Sequence, residues 1–171
     1  MKKNIKSYVI TSFIIITLQL FMFNNINFLG FINPWIYILI IIIIPQNIKN
    51  NHLIIIAFFI GIILDSLFYT FAINTISLIS VSWIRPLIIK KLFSGKNYNK
   101  KKFISIRNNG FYAYLKYASI ITLIHHSIIV IIDYTFFVNF SDIIVKIIMS
   151  SLMSIIIITC ISLINIFNQH E

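Results

Sequence analysis

Residues 53–93 read LIIIAFFIGIILDSLFYTFAINTISLISVSWIRPLIIKKLF, and this stretch decides the fold. Two apolar runs, each close to the roughly 20 residues that cross a bilayer, meet at a short turn near Asn74. Asp65 lies inside the first run and Arg85 inside the second, which ends in Lys90 and Lys91. The apolar residues are continuous instead of alternating, which excludes the strands of a β-barrel. Backbone amides in hydrocarbon must be paired within their own segment, so helix wins even for β-branched isoleucine, a weak helix former in water.

The same pattern extends outward over the whole chain. Hydrophobic residues make up 59% of the 171 and charged residues 11%, against about 25% charged in a soluble domain. The sequence therefore predicts an all-α integral membrane protein, one membrane domain over residues 1–171. Six transmembrane helices are expected, at about 8–23, 28–44, 53–72, 76–93, 111–132 and 143–167. The second is the weakest, because Asn33-Pro34 interrupts its start and Pro45 ends it. Lys2, Lys3 and Lys6 before an apolar run resemble a signal peptide, but no small-residue cleavage site follows, and the run reads as a retained first span.

The 14 Lys and Arg residues fall on alternate connections. They cluster at the N-terminus, at Lys49, and between spans four and five, where a basic loop at 94–110 holds Lys100, Lys101, Lys102 and Arg107. Positive-inside bias then places both termini and this loop in the cytoplasm. The loop fixes topology and attracts anionic lipid, or docks a cytoplasmic partner. A short loop at a bilayer surface has no nucleic-acid recognition module, so no nucleic acid is expected. Lys116 and Lys146 lie near span ends, from which they are expected to snorkel to the surface.

The intramembrane polar residues are the candidate functional positions. A charge at the bilayer centre costs at least about 2.5–3.5 kcal/mol, so Asp65 and Arg85 need partners. Counted from an apex at Asn74, their depths differ by roughly 3 Å, which predicts an ion pair locking the hairpin; partner contact or transport is the alternative. Pro86 is expected to break or kink span four beside Arg85. His125 and His126 point about 100° apart on a helix and do not chelate one metal as an i, i+4 pair does. They are expected to be neutral and hydrogen-bonded to neighbouring helices, with a proton-linked role as the alternative. Gly61, four residues after Ala57, permits close helix approach. Metalloprotease, serine-hydrolase and P-loop signatures are all absent, and the single Cys160 excludes a disulfide within the chain. No enzyme, metal or cofactor is expected.

The succession Gln19, Asn24-Asn25-Ile26, Gly30-Phe31-Ile32-Asn33-Pro34-Trp35-Ile36-Tyr37-Ile38, Gly61-Ile62-Ile63-Leu64-Asp65, Phe68, Thr70, Trp83-Ile84-Arg85-Pro86, Ser105-Ile106-Arg107, Gly110-Phe111 and His125-His126 resembles the rod shape-determining MreD family, in its Bacteroidetes-like branch. The resemblance covers nearly the whole chain in order. It departs at Ile73-Asn74, where the family tends to have Gly-His. It implies a non-enzymatic scaffold subunit of the bacterial cell-wall elongation machinery in the inner membrane. The implied partners are an MreC-like bitopic protein, an MreB-like filament, a RodA-like glycosyltransferase and its transpeptidase. It also implies a six-helix fold like that of the substrate-binding subunits of energy-coupling-factor vitamin transporters. Such a vitamin-binding subunit is the alternative function, and it requires Asp65, Arg85 and His126 to converge on a polar cavity. An intramembrane hydrolase comes third.

Overall fold

The computed structural model of the chain describes residues 5–23, 32–93, 104–133 and 139–167. Helices dominate: α1 Ile5–Leu18 runs into a π-helical turn Gln19–Phe23, and a 3-10 turn Ile36–Ile38 leads into the short α2 Leu39–Ile43. Then come α3 Asn50–Phe68, α4 Ile73–Phe93, the single turn α5 Ile106–Asn109, α6 Phe111–Asp133 and α7 Phe140–Phe167. No β-strand element occurs among the described residues.

Three of these helices, α3, α6 and α7, are long and apolar enough to cross a membrane, and the apolar stretch Tyr8–Phe23 is shorter. The expectation of six such spans is therefore corrected. α4 has the length, 21 residues, but it buries Asn74, Thr75, Ser77, Ser82 and Arg85 and ends in Lys90 and Lys91. The expected second span departs most. Residues 33–35 are not helical, and α2 ends at Ile43, before Pro45. The eight helical residues of 36–43 cover only about 12–16 Å, about half of the roughly 30 Å hydrocarbon layer.

This short segment is nevertheless the centre of the molecule. Ile36, Tyr37, Ile38, Leu39, Ile40, Ile41 and Ile42 are all buried, and α1, α7 and the π-turn pack against it. A non-helical stretch at membrane depth survives only where protein surrounds it and supplies its missing hydrogen bonds. Around it, α3 lies along α4, α4 against α6, and α6 against α7. The Tyr114 and Ser162 hydroxyls, 2.6 Å apart, bridge the last pair.

Gly61 sets the close approach of α3 to α4. A Cβ built on it would stand 2.4 Å from the Thr75 Cα and 2.8 Å from its Oγ1, so α3 and α4 cross here only because the position is glycine, in keeping with the Ala57/Gly61 spacing. The turn that joins them spans residues 69–72, not 73–75, because Tyr69 adopts the left-handed conformation at φ 55 and ends α3. Pro86 does not break its helix: α4 continues to Phe93 with the proline exposed. Asn33-Pro34 does interrupt helix, as expected. Lys116 is exposed, as snorkelling requires, whereas Lys146 is buried on the inner side of α7, against expectation.

Candidate functional site: an intramembrane polar network

Asp65 and Arg85 do not pair; each closes the end of a different helix. Asp65 lies one turn before the end of α3, and the 69–72 turn folds the start of α4 back over its carboxylate. Oδ1 accepts from the backbone N–H of Asn74 at 3.0 Å, from its Nδ2 at 2.9 Å and from the Thr70 hydroxyl at 2.5 Å. Oδ2 accepts from the Thr75 N–H at 2.9 Å and the Thr75 hydroxyl at 2.5 Å. Two of these donors are amides of the first α4 turn, which have no partner within their own helix. A carboxylate at a helix N-terminus also meets the positive end of the helix dipole. Five donors thus replace the water that an 8%-exposed Asp65 gives up.

Arg85 performs the complementary task at a C-terminus. It is 2% exposed. Its Nη2 donates to the carbonyls of Ile42 and Ile44 at the end of α2, and its Nε donates to the Tyr117 hydroxyl at 2.7 Å. Helix α2 stops here because Pro45 holds Ile44 in an extended conformation, φ −59 and ψ 137. The carbonyls this leaves open face a guanidinium, whose charge suits the negative end of a helix.

The expected Asp65–Arg85 pair fails for a definite reason. Placing the apex at Asn74 put both residues near mid-span. With the turn at 69–72, Asp65 is three residues from the end of α3, whereas Arg85 is twelve from the start of α4. Their difference in depth is then about 13 Å instead of roughly 3 Å.

From Asp65 a chain of contacts runs inward. The Tyr37 hydroxyl donates to the Asn74 Oδ1, and Asn74 Nδ2 also reaches the Thr70 hydroxyl at 2.8 Å. The Tyr37 ring meets the edge of His125, centroids 5.1 Å apart, His125 meets His126 at 5.5 Å, and His126 meets Trp35 at 5.0 Å. The histidines differ in what they bind. His126 places Nδ1 2.9 Å from the Thr122 carbonyl and Nε2 2.9 Å from the Ser154 hydroxyl. A carbonyl only accepts, so in the neutral ring Nδ1 holds the proton and Nε2 accepts from the serine. The Ser154 bond meets the expectation of a histidine bonded to a neighbouring helix. His125 does not: it is fully buried, and neither ring nitrogen has a hydrogen-bond partner. Its backbone carbonyl accepts from Ser77 at 3.1 Å.

The broken segment is held from its other side by α1 and α7. Gln19, 1% exposed, donates through Nε2 to the Pro34 carbonyl at 3.2 Å and accepts through Oε1 from the Ile36 N–H at 2.7 Å. The π-helical turn begins at this glutamine; such turns add a residue per turn and re-aim side chains. The Asn33 N–H donates to the Ser150 hydroxyl at 3.1 Å. Among the described residues, no group of three or more His, Cys, Asp or Glu is placed to hold a metal ion.

Of the residues singled out from sequence, Asp65, His125 and His126 are joined through Asn74 and Tyr37, while Arg85 belongs to a separate cluster. Asn33 and Pro34 lie in the interruption that Gln19 and Ser150 hold in place, and Pro86 is exposed on α4. Arg107 is exposed on α5, just before the left-handed Gly110 that separates α5 from α6. Lys100, Lys101 and Lys102 lie outside the described residues. Sequence reasoning missed Gln19, Tyr37, Tyr117 and Ser154 as network members. Gln19 had a visible signal, an amide within an apolar run; the tyrosines and the serine had none, because such residues are equally common on lipid-facing and interfacial surfaces.

Comparison with protein-family models, with curated proteins and with solved structures finds no match to the chain.

Proposed function

We propose that this chain is a non-enzymatic scaffold of the bacterial cell-wall elongation machinery, belonging with the MreD family. On this reading it lies in the inner membrane with both termini cytoplasmic. It works beside an MreC-like bitopic protein, an MreB-like filament and a RodA-like glycosyltransferase with its transpeptidase. The motif succession from Gln19 to His126 motivates the assignment. The observation that carries the scaffold reading is the use of the intramembrane charges: Asp65 closes the α4 N-terminus and Arg85 the α2 C-terminus. Both side chains fix helix ends inside the protein, and neither is left to meet a substrate. The vitamin-binding alternative needed Asp65, Arg85 and His126 to converge, and the three bind separate sets of partners. A protein whose Asp65 and Arg85 charges are both engaged internally acts through its surface, by presenting rigid helices to other membrane proteins.

The test is affinity isolation of the tagged chain from native membranes in a lipid-preserving polymer, with identification of what accompanies it. Wall-synthesis proteins in stoichiometric yield are the expected outcome. A tightly held vitamin in the purified protein, with no wall-synthesis protein beside it, would overturn the proposal.

A further inference from the structure

We propose that the turn between α3 and α4 is a lipid-binding anchor in which Tyr69 and Phe71 insert into the headgroup layer. These rings are 91% and 96% exposed, and Thr70 between them turns inward. Its hydroxyl and its N–H bond to the side chain and the backbone carbonyl of Asp65, at 2.5 and 3.0 Å. One residue tied inward by two hydrogen bonds leaves its two neighbours pointing outward.

The depth follows from α3. Its 19 residues rise about 28 Å, close to the roughly 30 Å of hydrocarbon, and it begins with the polar Asn50, Asn51 and His52. A helix that starts at one interface with these residues brings Tyr69 to the opposite interface. Aromatic rings with an apolar body settle at that level, and tyrosine adds a polar tip. No Lys, Arg, Asp or Glu occurs between Asp65 and Arg85, so the turn recognises a lipid surface by ring insertion and not by headgroup charge.

Tyr69 and Ala72 both sit at positive φ, 55 and 56, a conformation unfavourable for any residue but glycine. Such turns persist where surrounding bonds over-determine them, and here the Asp65 carboxylate does so. Asp65 is thus the positioning residue for the anchor. The inference requires only that α3 crosses the bilayer and is independent of the scaffold reading.

The test uses the full chain with Cys160→Ser, and with Tyr69→Cys or Phe71→Cys made singly so that each variant keeps one anchoring ring. Both sites are exposed, so the packing is untouched. A spin label on the cysteine is read in phosphatidylcholine vesicles, with and without phosphatidylglycerol, by collision with oxygen and with a water-soluble nickel chelate. A label at Ile63→Cys, on the exposed face of α3, gives the hydrocarbon reference. Both turn labels are expected in the headgroup layer, at a depth unchanged by the anionic lipid. Free access by the chelate, burial as deep as the Ile63 label, or shielding from both reagents by protein would each overturn the proposal. Adding Asp65→Asn is expected to spread the Phe71 label over a range of depths; an unchanged depth would remove Asp65 from the positioning role.

Discussion

Replacing Asp65 by Asn and Arg85 by Gln, singly and together, distinguishes two charges that close separate helices from two charges that close on each other. Asparagine keeps one acceptor for Asn74 and Thr70 but turns an NH2 toward the Thr75 amide now held at 2.9 Å. A buried donor left unpaired costs about 1–3 kcal/mol, and the lost charge at the helix N-terminus adds up to about 2 kcal/mol. Asp65→Asn is therefore expected to destabilise by about 2–4 kcal/mol. Glutamine at 85 is shorter, loses the Nε bond to Tyr117 and does not hold the Ile42 and Ile44 carbonyls together. With charged hydrogen bonds worth about 1.5–3 kcal/mol each, losing the Tyr117 bond and one of the two carbonyl bonds is expected to cost Arg85→Gln about 3–6 kcal/mol. The coupling between the two is the decisive number. Arg85 lies ten residues along α4 from Thr75, about 15 Å by helical rise, where two charges interact by about 1 kcal/mol at an effective dielectric constant of 20; a contacting pair at 4 Å reaches about 4 kcal/mol. Reversible unfolding by SDS in mixed micelles, followed by circular dichroism, gives all four corners of the cycle. Losses that add to within about 1 kcal/mol are expected. A double variant that recovers several kcal/mol relative to that sum would refute the reasoning and restore the ion pair.

Three further outcomes follow from the same geometry. Gly61→Ala places a Cβ 2.4 Å from the Thr75 backbone and is expected to cost about 1–3 kcal/mol as an overpacked contact; wild-type stability in the same titration would mean that α3 and α4 do not cross there. His125→Phe, which removes two ring nitrogens with no partner while keeping a ring against Tyr37, is expected to be neutral or stabilising, whereas His126→Phe strands the Ser154 hydroxyl and costs about 1–3 kcal/mol. Equal losses at the two positions would contradict the assigned bonding. Gln19→Leu leaves the Ile36 N–H and the Pro34 carbonyl unpaired at membrane depth; a loss of about 2–4 kcal/mol is expected from two such groups, together with faster hydrogen exchange at Ile36, and unaltered exchange there would count against the clamp.

What was legible in the sequence divides along a physical line. The four long helices from residue 50 onward, α3, α4, α6 and α7, emerged within about four residues of their ends, because continuous apolar runs in a bilayer leave the backbone no alternative to helix. Asn33-Pro34 and Pro45 marked the ends of the interrupted segment, since proline acts on its own backbone and on the residue before it. The outcome between them was hidden. Ile36–Ile42 read as part of a membrane span and is instead a short helical segment buried throughout, because hydropathy is the same for a side chain in lipid and in a protein core. The one-turn error in placing the α3–α4 turn came from a left-handed Tyr69, a position where sequence alone points to glycine.

By itself the sequence determined that the chain belongs in a membrane, that it is helical, and that Asp65 and Arg85 must be satisfied inside it; transfer free energy and backbone pairing depend on residue type and are local. Only the tertiary structure decided what satisfies them. Hydrogen bonds between residues as distant as Arg85 and Ile42, or Gln19 and Ile36, depend on which helix ends the fold brings beside each charge. No periodicity along a single chain encodes that neighbourhood.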